Sequence, residues 1–150
     1  SASLLCSTGL GHEINLEFID GFIRADRRKE MRAVLGSLFA GAIVVNRQML
    51  ENTLKYKRLD GVDNALSKIR YANFTGTGQA GGMRSALDIL KVPVQVIWGK
   101  EDQIIPVSHT LGLPDIIQIH LLAETGHMPQ MEKPGQVTQM IIDFVRKYGE

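Results

Sequence analysis

The order of elements in residues 92–150 constrains the fold of this chain most strongly. Pro93 to Gly99 is a short apolar run closed by a glycine, which is typical of a buried strand. A short helical pattern follows at 107–111, then a second strand at 116–122 and an amphipathic helix at 132–148. Because strands that alternate with helices form parallel sheets with crossovers, this segment predicts an α/β core. The apolar face of the last helix consists of Val137, Met140, Ile141, Phe144 and Val145.

The rest of the chain divides into two regions. Ser3 to Ser7 is an apolar run followed by a glycine-containing loop, which predicts a strand within residues 1–12. Residues 13–91 carry helical spacing, with Asn46 as the expected N-cap of one helix. We therefore predict a single domain with a strand and loop at 1–12, a helical region at 13–91 and the α/β core at 92–150.

Composition excludes several classes of protein. The net charge is +1 and 44% of the residues are hydrophobic, so neither nucleic acid nor a membrane surface is an expected partner. No run approaches the roughly 18 apolar residues of a membrane helix, and no signal peptide is evident. The single cysteine, Cys6, rules out a disulfide framework within the chain and predicts a reducing, cytoplasmic location. Its apolar neighbours predict a buried structural thiol.

Two acid–base residues follow the two predicted strands of the core. Asp102 comes after the first strand and His127 after the second, so both should lie at the carboxyl edge of the sheet. A histidine that acts as a general base needs a carboxylate on its other ring nitrogen. Acid first and histidine second is also the chain order of one type of catalytic triad. A purely structural alternative is that Asp102 caps a short helix and that His127 satisfies backbone groups of its loop.

The core segment resembles the C-terminal part of the α/β-hydrolase family. The resemblance implies about three parallel strands with crossover helices, and it implies that Asp102 is the triad acid and His127 the base. It also implies that the helical region is a cap over the active site. The matching elements are Val92-Pro93-Val94, Trp98-Gly99, Asp102, Ile105-Pro106, Gly126-His127 and Glu132-Lys133-Pro134.

The helical region is similar to one branch of that family, the hydrolase-like domain of the dihydrolipoamide acetyltransferase component of acetoin dehydrogenase complexes. This resemblance implies transfer of an acetyl group from a lipoyl arm to coenzyme A. It also implies a thiamine diphosphate enzyme and a dihydrolipoamide dehydrogenase as partners. The matching segments are Gly9-Leu10-Gly11, Glu13-Ile14-Asn15, Arg47-Gln48-Met49 and Leu54 to Gly61.

Three sequence features that these families contain are absent from the chain. It contains no G-x-S-x-G motif, no lipoyl domain, and no histidine followed by Asp-Gly four residues later. We expect the chain to begin just after the nucleophile helix of a longer protein, so that the nucleophile and oxyanion donors lie outside it. The chain alone should then be inactive. An open apolar strand edge at Ser3 to Ser7 would also favour a homo-oligomer.

Three functions remain open from the sequence. The parent protein could be the acyltransferase described above, with no cofactor held by this chain itself. It could be a hydrolase of an ester, a thioester or a carbon–carbon bond that uses the same two residues. It could also be a non-catalytic assembly module of a dehydrogenase complex.

Other polar features are interpreted more simply. His12 is a candidate substrate contact, whereas His109 and His120 have weaker contexts, and no spacing predicts a metal site. Gly76 to Gly81 matches G-x-G-x-x-G, but a helical pattern precedes it, which predicts a loop and not a dinucleotide site. One basic cluster is interpreted as a solvated face or as a contact for the phosphates of coenzyme A. It consists of Arg24, Arg27, Arg28 and Lys29.

Overall fold

A three-stranded parallel sheet forms the centre of the molecule in this computed structural model, which describes residues 1–41, 45–80 and 82–149. The strand order is β1-β2-β3, so each strand pairs with the next along the chain. Ala2 aligns with Val94, and Gln95 aligns with Gln118. The strands are β1 (Ala2–Leu5), β2 (Val94–Gly99) and β3 (Gln118–Leu122).

Seven α-helices and one 3-10 helix accompany the sheet in the described ranges. Five helices lie between β1 and β2, and two follow β3. None of the helices in these ranges is long and apolar enough to cross a membrane. The helices are α1 (Leu16–Arg24), α2 (Arg28–Gly36), α3 (Arg47–Lys57), α4 (Val62–Asn73), α5 (Arg84–Leu87), the 3-10 helix (Val107–Thr110), α6 (Pro129–Glu132) and α7 (Pro134–Tyr148).

The predicted strands are present with shifted ends. β1 ends at Leu5 and not at Ser7, because Cys6 has a φ of +40° that turns the chain out of the extended conformation. β3 begins at Gln118 and not at position 116, because Ile117 N–H donates to Pro114 O at 2.9 Å and closes a turn.

The predicted helix at 132–148 is wrong in its first turn. α6 ends at Glu132, and α7 starts separately at Pro134. Lys133 between them has a φ of −129°, as expected because a residue before proline disfavours the helical conformation. Val145, on the predicted apolar face of this helix, is 48% exposed, whereas Phe144 is buried. The predicted apolar face of α7 is therefore narrower than the sequence pattern.

β2 is buried along its whole length and provides both faces of the core. Val96 and Trp98 belong to the cluster on one face, together with Ile105. Ile97 belongs to the cluster on the other face, where Val137 of α7 covers it. Because side chains pack on both faces of β2, the strand holds the residues that follow it in a defined position.

The helical region is joined to the sheet loops at α1. Asn15 caps α1 by accepting from Phe18 N–H at 2.9 Å, and its backbone N–H donates to Ile104 O at 2.8 Å. Asn46 caps α3 through Met49 N–H at 2.8 Å, which confirms the predicted cap. At the other end of α1, the buried ammonium of Lys57 donates to three backbone carbonyls, those of Phe22, Ile23 and Ala25. The helices are thus anchored by polar contacts at their ends.

Candidate functional site

Asp102 and His127 meet at the carboxyl edge of the sheet. Nδ1 of His127 donates to Oδ2 of Asp102 at 2.9 Å. The Asp102 side chain is fully buried, whereas the His127 side chain is 20% exposed. The carboxylate is therefore shielded from water while the imidazole retains access to the surface. This is the arrangement that a general base requires.

The other oxygen of Asp102 is held by backbone groups. Oδ1 accepts from Ile104 N–H at 2.8 Å and from Ile105 N–H at 3.0 Å. The indole N–H of Trp98 donates to Ile105 O at 3.2 Å, so this turn is also tied back to β2. Two backbone hydrogen bonds to one oxygen fix the orientation of the carboxylate. One oxygen of Asp102 thus holds the turn that follows this residue, and the other oxygen holds the imidazole of His127.

The loops after β2 and β3 are bonded directly to each other. Glu101 N–H donates to Thr125 O, and Thr125 N–H donates to Oε2 of Glu101, both at 3.0 Å. A side chain at Gly99 would overlap the carbonyl oxygens of Thr125 and Gly126. Glycine at position 99 is therefore required for the close approach that brings Asp102 to His127.

Glu132 joins the histidine loop to the helical region. Its Oε2 accepts from Gly126 N–H at 2.7 Å, and its Oε1 accepts from Ala40 N–H at 2.8 Å. His127 N–H also donates to Leu38 O at 2.9 Å. No sequence pattern predicts a role for Glu132, although the residue belongs to the Glu132-Lys133-Pro134 segment of the family resemblance. Its position after Gly126-His127 is the one signal that was available.

The Cys6 thiol lies beside this pair, which the sequence pattern did not indicate. The sulfur, a carboxylate oxygen of Asp102 and a ring nitrogen of His127 all lie within 4.8 Å of one another. Cys6 is 3% exposed, which confirms the predicted burial. Burial is the main cause that raises the pKa of the thiol from 9.0 to about 12, and the Asp102 carboxylate adds to the shift. Since nucleophiles and metal ligands are thiolates, the neutral thiol is suited to neither role.

Cys6 is therefore expected to be inert towards alkylating reagents in the folded protein. At pH 8 the native thiol should react with iodoacetamide at least about 100 times more slowly than the same thiol in denaturant, because burial disfavours the thiolate. As the chain has one cysteine, mass spectrometry reports this site without ambiguity. Equal rates with and without denaturant would contradict the assignment.

His12 and His109 make their hydrogen bonds to residues other than Asp102 and His127. Exposed His12 contacts the glycine-containing loop through Gln79 O at 3.1 Å and Oγ1 of Thr77 at 3.2 Å. Buried His109 donates from Nε2 to Glu13 at 2.9 Å. His120 in β3 is half-buried. The alternation of the strand exposes its two neighbours instead.

The G-x-G-x-x-G match lies in a loop after a helix, as predicted. α4 precedes it and ends at Asn73, and Phe74 forms an isolated antiparallel bridge with Gln79. Gln79 is buried and its side chain accepts from Gly9 N–H at 2.8 Å. Gly81, the last residue of the match, lies outside the described residues. The loop thus packs on the segment that follows β1, and this contact supports a structural role for the loop.

Curated relatives align with almost the whole chain. A protein from Pseudomonas putida named dihydrolipoyllysine-residue acetyltransferase component of acetoin cleaving system is 43% identical over 148 residues, which cover 99% of this chain and 39% of that protein. A protein of the same name from Cupriavidus necator is 38% identical over 141 residues, which cover 94% of this chain and 38% of that protein. The chain therefore spans about two-fifths of the length of these relatives.

Solved structures share the fold at lower sequence identity. A meta-cleavage product hydrolase from Pseudomonas fluorescens superposes with a TM-score of 0.81 at 18% identity, covering 97% of this chain and 55% of that one. No family model matches the chain. At this identity the likeness concerns the backbone arrangement alone.

Proposed function

We propose that this chain, which has the C-terminal part of the α/β-hydrolase fold, supplies the acid and the base of an acyltransferase. Asp102 is the proposed acid and His127 the proposed base. The reaction is transfer of an acetyl group from a dihydrolipoyl thiol to coenzyme A. The 2.9 Å hydrogen bond between the partly exposed imidazole and the buried carboxylate is the observation that carries the proposal.

In the proposed reaction, Nε2 of His127 accepts and returns each proton. Nδ1 of His127 is bonded to Asp102, so Nε2 is the nitrogen that takes the proton from a nucleophile. The nucleophile attacks the acetyl thioester carbon, and the dihydrolipoyl thiol leaves with the proton from Nε2. Coenzyme A then attacks the acyl-enzyme, giving its thiol proton to His127. The nucleophile regains a proton from Nε2 when acetyl-CoA departs.

The nucleophile in this proposal comes from a segment outside the 150 residues. The chain has no G-x-S-x-G motif, and it matches about two-fifths of the length of its relatives. The same applies to the lipoyl group, since the chain contains no lipoyl domain. The other components of the acetoin system, a thiamine diphosphate enzyme and a dihydrolipoamide dehydrogenase, are the proposed partners. Self-association of the 150-residue chain is proposed as well, since β1 forms one edge of its sheet.

Transfer is favoured over hydrolysis by the relatives named for the acetoin cleaving system, at 43% identity across the chain. The polypeptide that carries this chain should convert S-acetyldihydrolipoamide and coenzyme A mainly into acetyl-CoA and not into acetate. Chromatographic quantification of the two products measures this partition. Acetate as the main product would support the hydrolase alternative, and absence of both products would support an assembly module.

The 150-residue chain by itself provides the matching control. It should form neither product, because it supplies no nucleophile or oxyanion donors. Turnover by this chain that disappears in the His127→Ala variant would contradict an external nucleophile.

A further inference from the structure

A cleft of about 650 Å³ lies between the connection of α1 to α2 and one side of α3. α3 contributes residues at helical spacing to its wall, and the connection contributes the start of α2. This volume is within the usual range of small-molecule sites, which is roughly 300–1,000 Å³. The residues that line the cleft are Asp26, Arg27, Arg28, Glu51, Leu54, Lys55 and Arg58.

The cleft has an excess of unneutralised positive charge. Glu51 accepts from Arg28 at 3.1 Å and from Arg47 at 2.8 Å, so its charge is already compensated by two guanidinium groups. The hydrogen bond from Arg47 lowers the pKa of the Glu51 carboxyl, which keeps it ionised. Three exposed cations remain without an ion pair in the described ranges, against the single carboxylate of Asp26. They are Arg27, Lys55 and Arg58.

The start of α2 adds to this positive potential. Arg27 occupies the N-cap position and makes no side-chain hydrogen bond to the first turn. The N–H groups of that turn are left without a side-chain acceptor. N–H groups at a helix start favour anions, and phosphates in particular. The basic cluster seen in the sequence is thus divided: Arg27 and Arg28 face the cleft, whereas Arg24 lines a separate depression beside Arg70.

We propose that this cleft binds the phosphate groups of coenzyme A. The ligand must carry several negative charges close together, which matches the pyrophosphate and the ribose phosphate of this nucleotide. The cleft is concave and of small-molecule size, which favours a nucleotide over a protein surface.

The position of the cleft relative to His127 supports this ligand and rests on the proposed acyl transfer. α2 begins at Arg28, in the cleft, and its nine residues span about 14 Å. Leu38, two residues beyond the helix, accepts from His127 N–H at 2.9 Å. Coenzyme A separates its phosphates from its thiol by a long flexible arm. The phosphates would occupy the start of α2 while the thiol reaches the histidine at its end.

Calorimetric titration of the polypeptide that carries this chain tests the site, with coenzyme A and adenosine 3′,5′-bisphosphate as probes. The triple variant Arg27→Ala, Lys55→Ala and Arg58→Ala should raise the Kd of both probes by about 100-fold, at roughly fivefold for each of the three lost charges. All three side chains are exposed, so the variant should fold normally. Arg146→Ala on α7 is the matched control, because it removes one exposed charge elsewhere.

The outcomes separate the site from the proposed reaction. An unchanged Kd in the triple variant, or binding of neither probe, would overturn the site. Acetyl transfer with an unchanged KM for coenzyme A in the triple variant would overturn the site and leave the proposed function intact. Binding of both probes that depends on these three residues, in a protein without acetyl transfer, would keep the site and reject the function. Capture of an acidic protein domain without nucleotide binding would also overturn the proposal.

Discussion

Replacing His127 with alanine is expected to lower acetyl transfer by the polypeptide that carries this chain by about three to four orders of magnitude. The imidazole is the one group in the described site that is bonded to a buried carboxylate and still reaches the surface. In the proposed mechanism its loss removes the proton acceptor for the nucleophile, while the fold should persist because the side chain is partly exposed. The initial rate of acetyl-CoA formation measures the effect.

Asp102→Asn provides the companion variant. The amide oxygen can still accept from Ile104 and Ile105, so the turn should remain formed. The charge that stabilises the imidazolium is lost, and the loss of rate should again be about four orders of magnitude. His120→Ala, on β3 away from the pair, should retain most of the activity. Folded variants of His127 and Asp102 that keep more than a tenth of the rate would refute the assigned roles.

Gly99→Ala is expected to destabilise the protein by about 3 kcal/mol or more, which lowers Tm on the order of 10 °C. The new methyl group would overlap the backbone of Thr125 and Gly126. Neither loop can withdraw easily, since Glu101 and Thr125 are bonded in both directions. Differential scanning calorimetry gives the change in the free energy of unfolding.

Gly135→Ala is the control for this measurement. Gly135 lies in α7, and a methyl group there would meet nothing within 4 Å. Alanine in a helix is favoured over glycine, so this variant should be neutral or more stable by up to about 1 kcal/mol. If both variants had the same Tm, the close approach at Gly99 would not limit stability.

The position of the Asp102–His127 pair could be predicted because it depends on local patterns. Each residue follows an apolar strand, and parallel strands place their carboxyl ends at one edge. The N-cap at Asn46 was predictable for the same reason, since a cap is formed by neighbours three residues apart. The α/β-hydrolase fold that the resemblance implied is confirmed by the parallel sheet and by the likeness to solved hydrolases.

The environment of the pair depends on contacts between distant segments and could not be predicted. Cys6 reaches the site because the register of β1 on β2 places the end of β1 beside the end of β2. Glu132 reaches Ala40 across 92 positions of sequence. The narrower face of α7 and the exposure of Val145 likewise follow from how far the helix covers the sheet. Periodicity describes which residues share a face, and packing decides how much of that face is buried.

The two hydrogen bonds that Glu132 accepts couple movement of the helical region to the order of the loop that carries His127. One carboxylate holds Gly126 and Ala40 together, and His127 N–H is bonded to Leu38. Residues 38–40 cannot lift without releasing the loop that orients His127. Movement of residues 38–40 away from this loop would therefore release His127 from its position, and their return would restore it. The amide protons of Gly126 and Ala40 should then exchange with solvent at a common rate, set by one opening equilibrium.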